Sequence, residues 1–424
     1  MDTAALHGKL YFLEDDSRTV LSVKTNPHPE IHTTTSIRDT LRVLQRNLMT
    51  VGMRSCGRFP GTAGWWGKPS EAVDSLAIWG TVKAAREIIS ERMWPPSLPT
   101  AAATLPIEVA LIIDDVSPSY FAAVGGPIPA TDPDNGFSSL LHYMPAHELA
   151  RAGIPYRNYL LTDLLLPAFQ TDVLPTLKLV IFANALRVPA SVAQYINGTL
   201  ASCNRTLLWL WAAGVVKDDG QAGPTLDPTG PAMITGLPLV MGAGSIPLQA
   251  DIDGFAFPYF GPGYYPIAPW FSLAQTPSGR EVVPADVKVL ARYHSNRRAA
   301  MISAQRAEHT VIFSGAIKIP TELYTRIAVD AGCHVYIKTA EDIIETGGQA
   351  LMVVAGDPKL KAKRTVTLPT KVAKVEDGSR MLSGNGSVVT VCVECAVFDT
   401  GMMAPGDVAL FFVTPADALI KTDD

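Results

Sequence analysis

Three carboxylates and one guanidinium stand close together near the N-terminus of the sequence: Glu14, Asp15, Asp16 and Arg18. The run Leu10–Glu14, apolar except at its last residue, favours a buried strand that leads into these acids. A carboxylate held at the end of a strand can act as a nucleophile or as a general acid or base. The alternative is a solvated acidic loop in which Arg18 pairs with one of the acids.

The elements around this cluster alternate between strand and helix. After Leu10–Glu14 comes a helical apolar period with Thr35 or Ser36 as its N-cap, then a strand around Met53–Phe59 and a helix over about Ser70–Arg92. This order suits parallel strand pairing. Catalytic groups of a (β/α)₈ barrel lie at the carboxyl ends of its strands, and Glu14 has that position. Two strand–helix units cannot close a barrel, so the segment packs on the rest of the chain or completes a structure supplied elsewhere.

The sequence predicts three domains of an α/β protein. The first is a barrel remnant over residues 1–95, ended by a proline-rich linker. Residues 96–345 alternate helical periods with apolar runs such as Ile107–Asp115, which is apolar on both faces like a central parallel strand. They predict a flavodoxin-like, doubly wound domain. Residues 346–424 alternate and are rich in turns, which predicts a small antiparallel β-sandwich.

Other chemical motifs are sparse. No phosphate loop, dinucleotide fingerprint, His-Glu-x-x-His or nucleophile-elbow motif occurs, so no cofactor is predicted. Asp114 and Asp115 end a predicted strand, where a capping carboxylate is favoured over a cation ligand. Cys392 and Cys395 have a metal-like spacing, but residues three apart face opposite sides of a strand and no second pair accompanies them. Neither a metal site nor a disulfide framework is predicted from the five cysteines.

An aromatic segment interrupts the α/β pattern at residues 254–271, with eight aromatic residues and four prolines. Such a segment cannot be a regular helix. It either folds down on its own domain, forms an oligomer contact or offers flat rings on which carbohydrate stacks.

The bulk composition excludes several classes of partner. The 424 residues are 47% hydrophobic and 18% charged, with a formal net charge of −5. The basic residues are scattered, which argues against a nucleic-acid partner. No window approaches the roughly 18 consecutive apolar residues of a membrane helix. The N-terminus lacks the pattern of a signal peptide, so a soluble protein of unassigned compartment is expected.

With these parts in order, the sequence resembles the C-terminal part of a glycoside hydrolase family 42-like β-galactosidase. The segment Leu13–Thr19, the residues Trp65–Gly67 and the proline-rich linker resemble the end of the barrel. The runs Val109–Asp114, Leu177–Phe182 and Thr206–Gly214 are similar to the amidotransferase-like trimerisation domain of those enzymes. The predicted sandwich fits the same layout.

The resemblance implies that Glu14 is the nucleophile of barrel strand seven, with Asp15 or Asp16 as less favoured choices. The acid/base glutamate of strand four would then lie upstream of Met1. Retaining hydrolysis needs both carboxyl groups, about 5–5.5 Å apart. The isolated chain is therefore expected to be inactive, and a retaining glycosidase is expected only where the missing strands are supplied.

Further roles follow from the same resemblance. It implies that Arg18 orients the nucleophilic carboxylate and that Trp65 or Trp66 stacks on sugar, although one tryptophan alternatively plugs the base of the barrel or packs on the last helix. The implied partners are carbohydrate, further copies of this chain or another chain. Two other functions stay open: a non-catalytic oligomerisation or structural subunit, and a carbohydrate-binding protein that uses the tryptophans and the aromatic segment.

Overall fold

The computed structural model describes residues 2–15, 17–22, 34–54, 57–60, 66, 73–93, 105–120, 141, 144–218, 223–248, 250–252, 255–256, 268–317, 319–338, 341–382 and 388–416. The chain divides into two compact units. The first unit comprises Met1–Pro106, Ala150–Pro155 and His334–Asp424, and the second comprises Ile107–Leu149 and Tyr156–Cys333. The division into three domains at residues 95 and 345 stays a prediction.

The helices and strands of the described residues are as follows. The helices are α1 (Asp2–Leu6), α2 (Ile37–Met53), α3 (Val73–Ile88), α4 (Met144–Ala150), α5 (Ala190–Tyr195), α6 (Gly230–Thr235), α7 (Thr321–Asp330) and α8 (Ser379–Leu382). The strands are β1 (Phe12–Asp15), β2 (Gly57–Pro60), β3 (Val109–Ile113), β4 (Tyr156–Leu160), β5 (Leu179–Phe182), β6 (Arg205–Leu210), β7 (Val216–Asp218), β8 (Pro224–Leu226), β9 (Leu239–Met241), β10 (Ala250–Ile252), β11 (Phe255–Ala256), β12 (Phe271–Leu273), β13 (Val287–Tyr293), β14 (Ala299–Gln305), β15 (His309–Ser314), β16 (Ile343–Gly347), β17 (Ala350–Val354), β18 (Thr365–Asp377), β19 (Val389–Asp399) and β20 (Val408–Pro415).

The second unit is built on a nine-stranded sheet of order β11-β10-β13-β14-β15-β6-β5-β3-β4. Strands β15, β6, β5, β3 and β4 pair in parallel, whereas β14, β13, β10 and β11 extend the sheet with antiparallel pairs. Numbered along the chain, the parallel strands lie in the order 2-1-3-4-5, which is the flavodoxin-like order. The predicted α/β class with a mainly parallel central sheet is confirmed.

The sequence dictates this sheet through strands that are apolar on both faces. Every residue of β5 and β6 is buried, as a central parallel strand requires. The Phe182 and Trp209 rings stack across the two strands with their centroids 3.7 Å apart. Arg205, at the start of β6, is satisfied by the backbone carbonyls of Leu174, Leu177 and Ser202.

The first unit contains a five-stranded antiparallel sheet of order β16-β17-β20-β18-β19. Its antiparallel character confirms the prediction for the C-terminal region, but the two sheets of a sandwich are not found among the described residues. Strand β18 of this sheet is 13 residues long. Its ladder is interrupted between Thr367 and Val372, and such irregularities bend a strand.

Helices α2 and α3 cover one face of this antiparallel sheet. On β17, Ala350 and Met352 join a cluster with Leu44 and Ile78 of the two helices, whereas Leu351 belongs to the cluster on the opposite face. The alternation follows from the two-residue period of a strand. The second layer on this face is therefore helical and comes from the N-terminal segment.

The ends of α2 are fixed by polar contacts. Ser36 caps its N-terminus by accepting the backbone N–H of Asp39 at 3.1 Å, as predicted for one of the two candidate residues. At its C-terminus, Arg54 donates to Asp2 Oδ2 at 2.8 Å and to Glu345 Oε1 at 2.9 Å. All three side chains are buried, so the ion pairs join α1, α2 and β16.

Three local predictions are wrong. The run Leu10–Glu14 is not a buried strand: β1 starts at Phe12, and Leu10 and Phe12 are 88% and 64% exposed. Helix α2 continues to Met53, so the second strand begins only at Gly57. Cys392 and Cys395 form a disulfide instead of facing apart. The intervening Glu394 has a left-handed backbone with φ of 50°, which breaks the alternation of the strand.

The end of α2 packs so closely on the β16–β17 hairpin that a methyl group added to Gly347 should destabilise the protein. A Cβ on Gly347 would lie 2.2 Å from the Met53 carbonyl oxygen and 2.5 Å from its Cα, so Gly347→Ala forces backbone apart. We expect the free energy of unfolding to fall by about 1–3 kcal/mol in urea denaturation. A Cβ on Gly401 meets nothing within 4 Å, and Gly401→Ala is the matched control. Equal stability of the two variants would contradict the close contact.

Candidate functional site

The predicted catalytic cluster follows β1, which pairs in parallel with β2. Phe12 is opposite Gly57, Glu14 is opposite Phe59 and Asp15 is opposite Pro60. Glu14 therefore lies one residue from the carboxyl end of a parallel strand, as predicted for its backbone. Asp16 and Trp65 lie outside the described residues.

Asp15 is turned into the protein. It is almost fully buried, and its Oδ1 accepts the backbone N–H of Ser17 at 2.9 Å. This bond closes a tight turn directly after the strand. The geometry gives Asp15 a structural contact within the turn, which makes it a weaker candidate for attack on a ligand than an open carboxylate.

Ser17 is the centre of the polar contacts that hold this turn. Its hydroxyl accepts Nδ2–H of Asn47 at 3.0 Å, and its carbonyl accepts the indole N–H of Trp66 at 3.2 Å. Asn47 Oδ1 in turn accepts from Nε and Nη2 of Arg46 at 3.0 and 2.9 Å. Burial lowers the pKa of the Arg46 guanidinium from its usual value.

Arg18 is half-buried next to Ser17. Its carbonyl accepts the N–H and the hydroxyl of Thr34 at 3.2 and 3.1 Å. The Thr34 hydroxyl lies 2.6 Å from that of Thr40, which also accepts the backbone N–H of Val20. The loop after β1 is thus fastened to the first turns of α2, and the role of Arg18 as an orienting group stays a prediction.

Trp66 is fully buried in the cluster that α2 and α3 form with the antiparallel sheet. Its ring centroid lies 6.0 Å from that of Trp79 on α3. This position favours the packing interpretation of Trp66 over stacking on a sugar. Of the site residues predicted from the sequence, Trp66 thus lies next to Arg18, because its indole N–H donates to the carbonyl of Ser17.

The residues that sequence reasoning missed here are Ser17, Thr34, Arg46 and Asn47. Ser17 follows the acids directly, and a polar residue after a strand is a recognisable turn signal. Thr34 and Asn47 have no sequence signal, because they contact Arg18 and Ser17, which are 16 and 30 residues away in the chain, and Arg46 joins the group only through Asn47.

A second polar cluster lies at the carboxyl ends of β3 and β5, where the strand order of the parallel sheet reverses. Ligands bind at this switch point in many α/β sheets. Here Asp114 accepts the hydroxyl of Ser117 and the N–H of Val116, and Asn184 exchanges two hydrogen bonds with the Asp114 backbone. Burial raises the pKa of Asp114. The contacts support the capping interpretation of Asp114.

The aromatic segment is described only at its two ends. Residues 257–267 lie outside the described residues. Trp270 and Phe271 are buried, and the indole N–H of Trp270 donates to the Ala243 carbonyl at 3.2 Å. These last two rings pack on the second unit itself, while the three interpretations of the remaining segment stay open.

The described part of the chain has neither a metal-binding cluster nor a membrane-spanning helix. No group of three or more of its His, Cys, Asp or Glu side chains is arranged to hold a metal ion. None of its helices has the length and the apolar composition to cross a membrane.

Comparison of the fold with solved structures finds GH42 β-galactosidases and related enzymes. A β-galactosidase from the Antarctic haloarchaeon Halorubrum lacusprofundi superposes with a TM-score of 0.56 at 13% identity, over 92% of this chain and 51% of that chain. A catalytic mutant of a GH42 β-galactosidase from G. stearothermophilus gives 0.56 at 11% identity, over 91% and 52%. The enzyme from Bacillus circulans sp. alkalophilus gives 0.53 at 10% identity, over 87% and 52%.

These likenesses define a glycoside hydrolase-like, β-galactosidase-like fold. At such low identity they concern the fold alone, and the chain spans about half the length of the structures it resembles. No protein-family model matches the sequence. No curated protein matches it either.

The burial of Trp66 predicts a stability effect. Trp66→Ala removes a large core side chain and the bond to Ser17, so we expect the free energy of unfolding to fall by about 3–5 kcal/mol in urea denaturation. Leu76→Ala, at an exposed position of α3, is the control and is expected within about 0.5 kcal/mol of the parent. A Trp66→Ala variant as stable as this control would indicate an exposed ring instead.

Proposed function

We propose that this chain is the C-terminal part of a β-galactosidase-like glycoside hydrolase and that the isolated chain is catalytically incomplete. Glu14 is the nucleophile of a retaining mechanism that operates only when further barrel strands are supplied from outside these residues. The fold likeness to β-galactosidases over about half of their length supports this proposal.

The observation that carries the proposal is the parallel pair β1–β2. Two parallel strands do not form an independently stable sheet. No further strand of the described residues pairs with either one. Leu10, Tyr11 and Phe12 nevertheless expose apolar side chains at the start of β1. An apolar strand with an open edge is what a barrel presents where its neighbouring strands are absent.

The chemistry assigned to Glu14 requires a second acid. In a retaining mechanism one carboxylate attacks the anomeric carbon while the other protonates the departing oxygen, and the second group then activates water. We assign the first role to Glu14, the orienting role to Arg18 and sugar contact to Trp65. Hydrogen bonds from Ser17 to Asp15 and from Asn47 of α2 to Ser17 brace the end of β1, which suits a nucleophile that must hold its position.

Hydrolysis by the isolated chain tests this assignment. We expect no turnover of an aryl β-galactoside, because we propose that the second carboxyl group of the pair comes from outside these residues, and no difference between the parent and Glu14→Gln. Glu394→Gln removes an exposed carboxylate in the same unit and serves as the matched control. Robust turnover that Glu14→Gln abolishes and Glu394→Gln preserves would overturn the claim that the site is incomplete.

The exposed apolar residues at the start of β1 lead to a separate prediction. Phe12→Ser is expected to reduce binding of a hydrophobic dye such as anilinonaphthalene sulfonate, because it removes part of an apolar strand surface. Val329→Ser changes a single exposed valine on α7 and should leave dye fluorescence nearly unchanged. If both variants bind dye like the parent, the start of β1 is covered in the isolated chain and the argument from the open edge fails.

A further inference from the structure

The second unit contains a polar cavity of about 490 Å³ that the proposed glycosidase site does not use. It lies between the β12–β13 connection and the turn that joins β13 to β14. The described residues in its wall include four arginines and a single carboxylate: Arg280, Arg292, Arg297, Arg298 and Glu281. The wall therefore carries a formal charge of +3, from four guanidinium groups less one carboxylate, in a chain whose net charge is −5.

Glu281 organises the floor of this cavity. Its carboxylate is only 10% exposed and accepts Nη1–H of Arg292 at 2.6 Å, the N–H of Ala299 at 2.7 Å and the hydroxyl of Ser272 at 2.8 Å. Burial alone would raise the pKa of Glu281, but these hydrogen bonds together hold it below its usual value. The group is thus a fixed anion that holds Arg292 in place.

Arg298 is set deeper than the other arginines. Its side chain is 16% exposed, and its guanidinium lies 5.1 Å from the centre of the Trp270 ring. It also donates to the Leu273 carbonyl, while its Nε is 3.7 Å from Glu281. Packing on an aromatic face and one backbone bond restrict this side chain to one orientation.

The remaining arginines keep donors available for a ligand. Arg292 uses only Nη1, towards Glu281 and the Arg297 carbonyl, and Arg297 uses Nη1, towards Asp251 at 2.7 Å. The guanidinium of Arg280 forms no ion pair with any residue that the structure describes. Each guanidinium carries five N–H donors, so most donors around the cavity have no protein acceptor in the described part of the chain.

From this arrangement we propose that the cavity binds a small polar molecule that carries a phosphate group, a tetrahedral oxyanion with up to two negative charges that inorganic sulfate mimics. Planar guanidinium groups bind such oxyanions through paired hydrogen bonds. A ligand with one carboxylate would neutralise only one positive charge of the wall. The wall keeps an excess of two positive charges even after Asp251 is counted against Arg297. Among the described residues that line the cavity, Val283 is the one apolar side chain, so the rest of the ligand is polar, and the volume accommodates a hexose ester.

Calorimetric titration of the full chain at low ionic strength tests the proposal. The probes are inorganic phosphate, inorganic sulfate, glucose 6-phosphate, glucose and glucuronate. We expect saturable binding of phosphate or sulfate, tighter binding of glucose 6-phosphate if the natural ligand is an ester, and no binding of glucose. Glucuronate is expected to bind at least tenfold more weakly than glucose 6-phosphate.

Variants separate this site from general surface charge. Arg280→Gln and Arg297→Gln, singly and combined, are expected to weaken phosphate binding at least tenfold, and both positions are exposed enough to leave the fold intact. Lys288→Gln removes an exposed positive charge of β13 outside the cavity and should change affinity less than twofold. Absence of binding by all anionic probes, or equal binding by the double variant and Lys288→Gln, would overturn the proposal. Neither result depends on hydrolysis, so the test is independent of the proposed glycosidase function.

Discussion

The contact between helices α2 and α3 and one face of the antiparallel sheet is the interaction on which the first unit depends. The strands β17 and β20 are apolar on both faces, so the sheet needs a layer on each side. The N-terminal helices supply one of these layers, at a spacing so close that only glycine fits at position 347. Because Asn47 of α2 also binds Ser17, the same contact fixes the loop that follows β1.

The candidate site is held in place on one side and exposed on the other. On one side, the turn after β1 is held by Ser17, Thr34 and Trp66, which limits its motion. On the other side, the strand itself pairs only with β2 among the described residues and exposes Leu10 and Phe12. Unpaired strand edges favour association with another strand. A braced strand end next to an open edge supports the proposal that further strands complete the site.

The predictable parts of the structure are those whose burial pattern is encoded locally. Strands β5 and β6 could be predicted because they are apolar on both faces, and α2 because its apolar residues recur with the helical period and Ser36 caps it. The prediction that Leu10–Glu14 is a buried strand is wrong because an exposed edge strand and a buried strand can have the same composition. Asn47 and Arg54 act through partners distant in sequence, and the disulfide depends on a backbone irregularity at Glu394 that alternation rules ignore.

Net charge averages over surfaces that a ligand meets separately. The scattered basic residues argue against an extended basic face. However, Arg292, Arg297 and Arg298 flank one hairpin turn, and the fold brings Arg280 to the same cavity. Charges screen one another over about 8 Å at physiological ionic strength, so distant acids do little to offset this cluster. The local potential of a cavity is therefore set by its own walls, and an acidic chain can still present a site for an anion.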